Sequence, residues 1–168
     1  TLTVTISPKK PQALSFAESS VSRTYGDADF ALAASHTAGD GEVRYRSSNP
    51  AVAVVDEDSG KVKILAAGET TITAQAQETA DYAPLEVSYT LTVGKARITI
   101  TGKSLSAYVG DAAPALSADS YTVSGLVGSD KLEKEPDVRY ETDPDMTAAG
   151  ETAILLSGAQ APAGGNYS

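Results

Sequence analysis

Carboxylates two residues apart in a polar turn are the commonest raw material for a calcium site, because that cation collects several oxygen ligands from one loop. The chain has two such places, Asp56 and Asp58 in Asp56-Glu57-Asp58-Ser59-Gly60, and Asp143 and Asp145 on either side of Pro144. Asp56-x-Asp58-x-Gly60 lacks the later bidentate glutamate of an EF-hand, so all four are read first as turn residues and second as calcium ligands. Nucleophilic catalysis needs a base within hydrogen-bond reach. The single histidine, His36, lies in the polar stretch SHTAGDGE, and there is no cysteine. His36 is therefore expected in a solvated loop. Gly39-Asp40-Gly41 lacks the third glycine and the following helix of a phosphate loop. The remaining acidic residues cluster in turns, where a solvated face is the default and no glycosidase geometry follows. The expectation is a protein with no catalytic residues, no cofactor and no committed metal site, hence not an enzyme.

Charge and composition narrow the partners. With 22 acidic and 13 basic side chains the net charge is −9, which repels phosphate backbones and anionic lipid. Nucleic acid is not expected as a partner, nor is membrane insertion, since no 18-residue apolar run is present. Without cysteine or tryptophan, stability rests on apolar burial in domains of modest size. A chain of 168 residues opening on TLTVTI, with no signal peptide or sorting motif, reads as a piece of a longer protein.

The elements that would position these residues are strands. Val43 and Tyr45 alternate with Arg44 and Arg46, Val62 and Ile64 with Lys61 and Lys63, and Ile72 and Ala74 with Thr71 and Thr73. Period two means strands with one buried face, and the turn residues between them predict a β-meander from Val43 to Gln75.

Much of this pattern recurs. Tyr25-Gly26-Asp27 returns as Tyr108 with Gly110-Asp111, and Leu32 returns as Leu116, an offset of 84. Val43-Arg44-Tyr45 returns as Val138-Arg139-Tyr140, Ala66-Ala67-Gly68-Glu69-Thr70 as Ala148-Ala149-Gly150-Glu151-Thr152, and Asp81-Tyr82 as Asn166-Tyr167. Repeated anchors in one order predict two units, 7–93 and 94–168, preceded by residues 1–6 as the tail of an earlier repeat or a linker strand. In each Tyr-Gly-Asp corner the glycine supplies φ > 0, the aspartate caps, and the tyrosine ring packs. The second unit lacks the hairpin of 52–64. It carries instead a strand at Tyr121 to Val123 and a helical turn with Asp130 as cap, Glu133 three residues on and Pro136 as stop.

The order Ser48-Asn49-Pro50, Val52 to Asp56, Gly60-Lys61-Val62 and Gly68 to Ala74 resembles the bacterial immunoglobulin-like domain of the Big family. Tyr121-Thr-Val-Ser-Gly-Leu-Val-Gly128, the preceding Tyr108 with Gly110-Asp111 and the closing Asn166-Tyr167 resemble the MBG domain found in tandem in bacterial adhesins, although Val109 interrupts the corner and that family's terminal strand is missing. The resemblances imply an all-β chain of two tandem domains, an Ig-like β-sandwich and then a smaller MBG-like unit with one short helical turn, for which a β-grasp-like fold is the alternative. They also imply a location outside the cell and a non-catalytic role as stalk or spacer, with neighbouring repeats of the same polypeptide as partners. The rival reading is a module that binds host glycan or protein through its end loops.

Two expectations concern assembly. The short joint Val93-Gly94-Lys95-Ala96 predicts a semi-rigid pair of domains. Thr1-Leu2-Thr3-Val4 repeats the letters of Thr90-Leu91-Thr92-Val93, the closing strand of the first unit, while nothing comparable follows Asn166-Tyr167 in this sequence. A monomer is expected, with head-to-tail strand exchange from Thr1 to Ile6 onto an edge near Arg97 to Thr101 as the route to longer chains.

Overall fold

A computed structural model describes residues 7–168, so the strand expected over Thr1 to Ile6 lies outside the described residues. The described chain is all-β, and it divides into two compact units that meet between Gly94 and Lys95.

The first unit contains β1 (Ala13–Ser15), β2 (Ser20–Thr24), β3 (Phe30–Ala31), β4 (Ser35–Ala38), β5 (Val43–Ser47), β6 (Ala53–Val55), β7 (Lys61–Ile64), β8 (Gly68–Ala76) and β9 (Leu85–Gly94). A four-stranded sheet in the order β2-β9-β8-β5 faces a three-stranded sheet β3-β7-β6, and β1 pairs with β4. Period-two alternation explains how the faces meet. Ile72 on β8 and Tyr89, Leu91 and Val93 on β9 point into one core, where Val52, Ala53 and Val62 meet them from the other sheet. β9 is one of the two inner strands of the four-stranded sheet. It pairs antiparallel with β8 from Gly68↔Val93 to Ala76↔Leu85, and parallel with β2 from Ser20↔Thr90 to Thr24↔Gly94.

The expected meander is corrected. β5 pairs directly with β8, and the β6-β7 hairpin crosses to the opposite sheet. Alternation shows that one face of each strand is buried, yet Val52, Ala53 and Val62 can bury theirs only by lying across the core from Ile72. The crossing is tied by Thr70, whose hydroxyl meets those of Ser47 and Ser48 and accepts from the Asn49 amide at 2.9 Å. Gly68 sits at φ 147°, and a Cβ there would stand 2.7 Å from Val52 Cγ2. Only glycine lets the hairpin close down on this strand.

The second unit contains β10 (Thr99–Gly102), β11 (Tyr121–Ser124), β12 (Asp137–Tyr140) and β13 (Ile154–Ser157), forming antiparallel pairs β10-β11 and β12-β13. Its helical turn is a 3-10 turn at Ala118–Ser120, where Ser117 and Ser120 cap each other reciprocally. The turn expected at Asp130 to Glu133 does not form. The Asp130 carboxylate accepts from the Tyr167 hydroxyl at 2.5 Å, and the Glu133 amide donates to Gln160 O at 3.0 Å, so both groups needed for a cap are taken. Nor do the described residues of this unit include the helix that a β-grasp would pack on its sheet.

Hydrogen bonds put the repeat in register. The Asp27 amide donates to Thr24 O while the Thr24 amide donates to Asp27 Oδ2, and both bonds recur 84 residues later between Asp111 and Tyr108. Tyr108 therefore corresponds to Thr24 and Val109 to Tyr25, with no insertion. The expectation that both tyrosines pack is corrected for Tyr108, which is 84% exposed. A second device also recurs. Lys10 N donates to Asp81 O and Ala83 N to Lys10 O, just as Ala96 N donates to Asn166 O and Ser168 N to Ala96 O. Each unit thus carries the same parallel clasp. The Val-Arg-Tyr repeat does not superpose in this way. Tyr45 faces Ala74, whereas Tyr140 faces Ile154, the counterpart of Ile72, a slip of two residues that preserves the buried face.

Candidate functional site

The four acidic candidates occupy two separate turns. Asp56 caps the β6-β7 turn, its carboxylate accepting from the Ser59 amide at 2.8 Å and the Ser59 hydroxyl at 2.5 Å. The hydroxyl bond first, then the amide bond, holds its pKa below the ordinary value of 3.8. Asp58 is drawn instead to Arg44, which also pairs with Glu42 at 2.6 Å. These carboxylates, the Glu42 bond foremost, raise the guanidinium pKa. Asp145 repeats the capping chemistry in the second unit, accepting from the Thr147 hydroxyl at 2.6 Å and the Thr147 amide at 2.9 Å, and its pKa is lowered for that reason. Asp143 is exposed in the same loop. No group of three or more His, Cys, Asp or Glu side chains that could hold a metal ion occurs among the described residues.

His36 is not in a solvated loop. It lies half-buried on β4 opposite Leu14, with Nε2 3.1 Å from Gln12 Oε1. Gln12 is the feature missed from sequence. Buried, it donates to Gln77 O and Ala83 O at 2.8 and 2.9 Å, and its carbonyl accepts from the Gly41 amide at 3.1 Å. All four of its bonds are used, which joins the chain before β1 to the ends of β8 and β9. Gly41 leaves room for it; a Cβ there would lie 2.1 Å from Gln77 O.

The second unit carries a concavity of its own. Between Gly102 to Val109 and Ala148 to Ile154 runs an open cleft of about 1030 Å³. Leu105 and Val109 on its wall are 40% and 58% exposed, whereas Val21, the counterpart of Leu105, is 6% exposed. Its lining sets Leu105, Val109 and Ile154 among the charged side chains of Lys103, Asp143, Asp145 and Glu151.

With that geometry described, residues 29–78 match the family model described as the intimin immunoglobulin-like domain. The matched segment runs from just before β3 to just beyond β8, which includes the three-stranded sheet and, of the four-stranded sheet, β5 and β8. It supports an immunoglobulin-like domain of the bacterial surface-protein kind. No curated protein matches the chain. Among the described residues no helix is long and apolar enough to cross a membrane.

Proposed function

We propose that this chain is a non-catalytic tandem module of a bacterial cell-surface protein, acting as a spacer and contributing to adhesion through the array to which it belongs. The observation that carries this reading is the likeness of residues 29–78 to the intimin immunoglobulin-like domain, set within a repeated corner and clasp. The second unit is an MBG-type repeat in this reading, and the two units are successive members of an extracellular series. The acidic residues support a spacer rather than a receptor, because Asp56 and Asp145 are spent on their own turns. The purified chain, assayed on arrays of glycans and matrix proteins, is expected to show no saturable binding with or without calcium. Saturable binding to one ligand, abolished by substitutions in the end loops, would replace the spacer with a ligand-binding module.

A further inference from the structure

The carboxamide of Gln12 is buried among groups that all polarise it in one sense. Its carbonyl oxygen accepts from the Gly41 amide at 3.1 Å and lies 3.1 Å from His36 Nε2, which must carry the proton because that oxygen can only accept. Its nitrogen faces two carbonyls, Gln77 O at 2.8 Å and Ala83 O at 2.9 Å. Two donors on the oxygen stabilise an oxyanion, and two carbonyls about the nitrogen stabilise it as it takes up a proton and leaves. A hydroxyl with a base lies on the same loop. The segment from Gln77 to Ala83 is fastened to Gln12 Nε2 at both ends, and Thr79 between them donates its hydroxyl to Asp40 Oδ1 at 2.8 Å while accepting from the Tyr82 amide at 3.2 Å. Asp40 is flanked in turn by Gly39 and Gly41, both set against the carboxamide. A Cβ at Gly39 would stand 3.0 Å from Gln12 Cδ, and one at Gly41 would stand 2.7 Å from Oε1, so glycine at both places keeps the carbonyl group approachable.

We propose that Thr79 and Gln12 join in an intramolecular ester. Asp40 takes the hydroxyl proton as Thr79 Oγ1 attacks Gln12 Cδ, and the oxyanion forms on Oε1 between the Gly41 amide and His36 Nε2–H. Asp40 then passes the proton to Nε2, the C–N bond breaks, and ammonia departs. One C–O bond replaces one C–N bond, with no change of oxidation state and no co-reactant. The loop that holds both groups takes the place of a second substrate. Because the reaction happens once in each chain and consumes its own residues, it does not make the protein an enzyme. Lys9 is the competing nucleophile, since its amine pairs with Glu78 at 2.6 Å and donates to Thr79 O; attack by that amine would give an amide instead. The Tyr82 amide on Thr79 Oγ1 favours the hydroxyl, because a donor there stabilises the developing alkoxide. The ester ties the chain ahead of β1 to the chain beyond β8, which restrains the unfolded first unit and stabilises the folded one.

Intact-mass measurement on the purified full chain tests this. The folded protein is expected to weigh less than its sequence by one ammonia, and its digest to contain one peptide pair joined through Gln12 and Thr79 that hydroxylamine separates. T79V, which lacks the nucleophile, should keep the full sequence mass and melt at a lower temperature than the parent. D40N keeps the hydroxyl and loses the base, so in a time course of fresh protein it should convert at least about a hundredfold more slowly. Asp40 is exposed and Thr79 half-buried, so the circular dichroism of both variants should match that of the parent. A parent at its full sequence mass would overturn the proposal, as would a gain of mass from hydrolysis of Gln12 to glutamate. So would loss of ammonia that persists in T79V, conversion of D40N at the parent's rate, or a joined pair that resists hydroxylamine, which would assign the bond to Lys9. The result is independent of whether the protein stands on a cell surface.

Discussion

The two units share a corner and a clasp, yet they differ in how much core those devices enclose. Of the fifteen buried hydrophobic residues among those described, twelve lie in the first unit, and Ala96, Tyr121 and Tyr167 are the three in the second. The core of the first unit is gathered around one strand: β9 brings Tyr89, Leu91 and Val93 to the centre of the sandwich and holds Val21 against them, whereas Leu105, at the place of Val21 in the second unit, is 40% exposed. The same local hydrogen bonds therefore frame two units whose described residues bury apolar surface to different extents.

Two paired substitutions and one single substitution test that contrast, each read as unfolding free energy from amide exchange, with β8 and β9 reporting the first unit and β12 and β13 the second. The largest effect is expected for L91A, about 3 to 4 kcal/mol in the first unit, because Leu91 is fully buried and leaves a cavity. L105A should cost under about 0.5 kcal/mol, as befits a partly exposed side chain; equal costs would break the comparison. Next, G68A should cost about 1 to 3 kcal/mol, since its φ is unfavourable for a side chain and its Cβ meets Val52. The equivalent G150A meets nothing within 4 Å and should be close to neutral. The smallest effect concerns Tyr89, whose buried hydroxyl has no hydrogen-bond partner among the described residues. Burial pushes its pKa from 10.0 up to about 12. A raised folded-state value means that this contribution is intact below pH 10 and is lost as the pH rises through about 12. Y89F should remove that alkaline loss from the first unit only, and at neutral pH should raise its stability by about 1 kcal/mol or leave it unchanged. A marked destabilisation at pH 7 would mean that the hydroxyl is satisfied after all.

Legibility tracked the range of the interaction. The corners at Gly26 and Gly110 and the caps at Asp56 and Asp145 were readable because glycine at φ > 0 and an acceptor two or three residues from its donor are local chemistry. Alternation identified β5, β7 and β8 but not the sheet to which each belongs, since periodicity is blind to what lies across the core. Letter matching set Tyr108 against Tyr25, and only the bonds of Asp111 showed that it occupies the place of Thr24. Gln12 left no signal, because its four partners come from three distant segments.

The parallel pairing of β2 with β9 also governs how the first unit responds to tension. A force that draws the start of β2 and the end of β9 apart runs along both strands, so every rung from Ser20↔Thr90 to Thr24↔Gly94 is sheared at once and must give way together. Pulling Thr24 and Gly94 apart, at one end of the ladder, opens the rungs in succession. Because the chain has no cysteine, single thiol handles can be placed at either pair of positions. In single-molecule stretching the first geometry should rupture at the higher force, so that a protein strung along this axis resists drag best in the direction in which its own polypeptide runs.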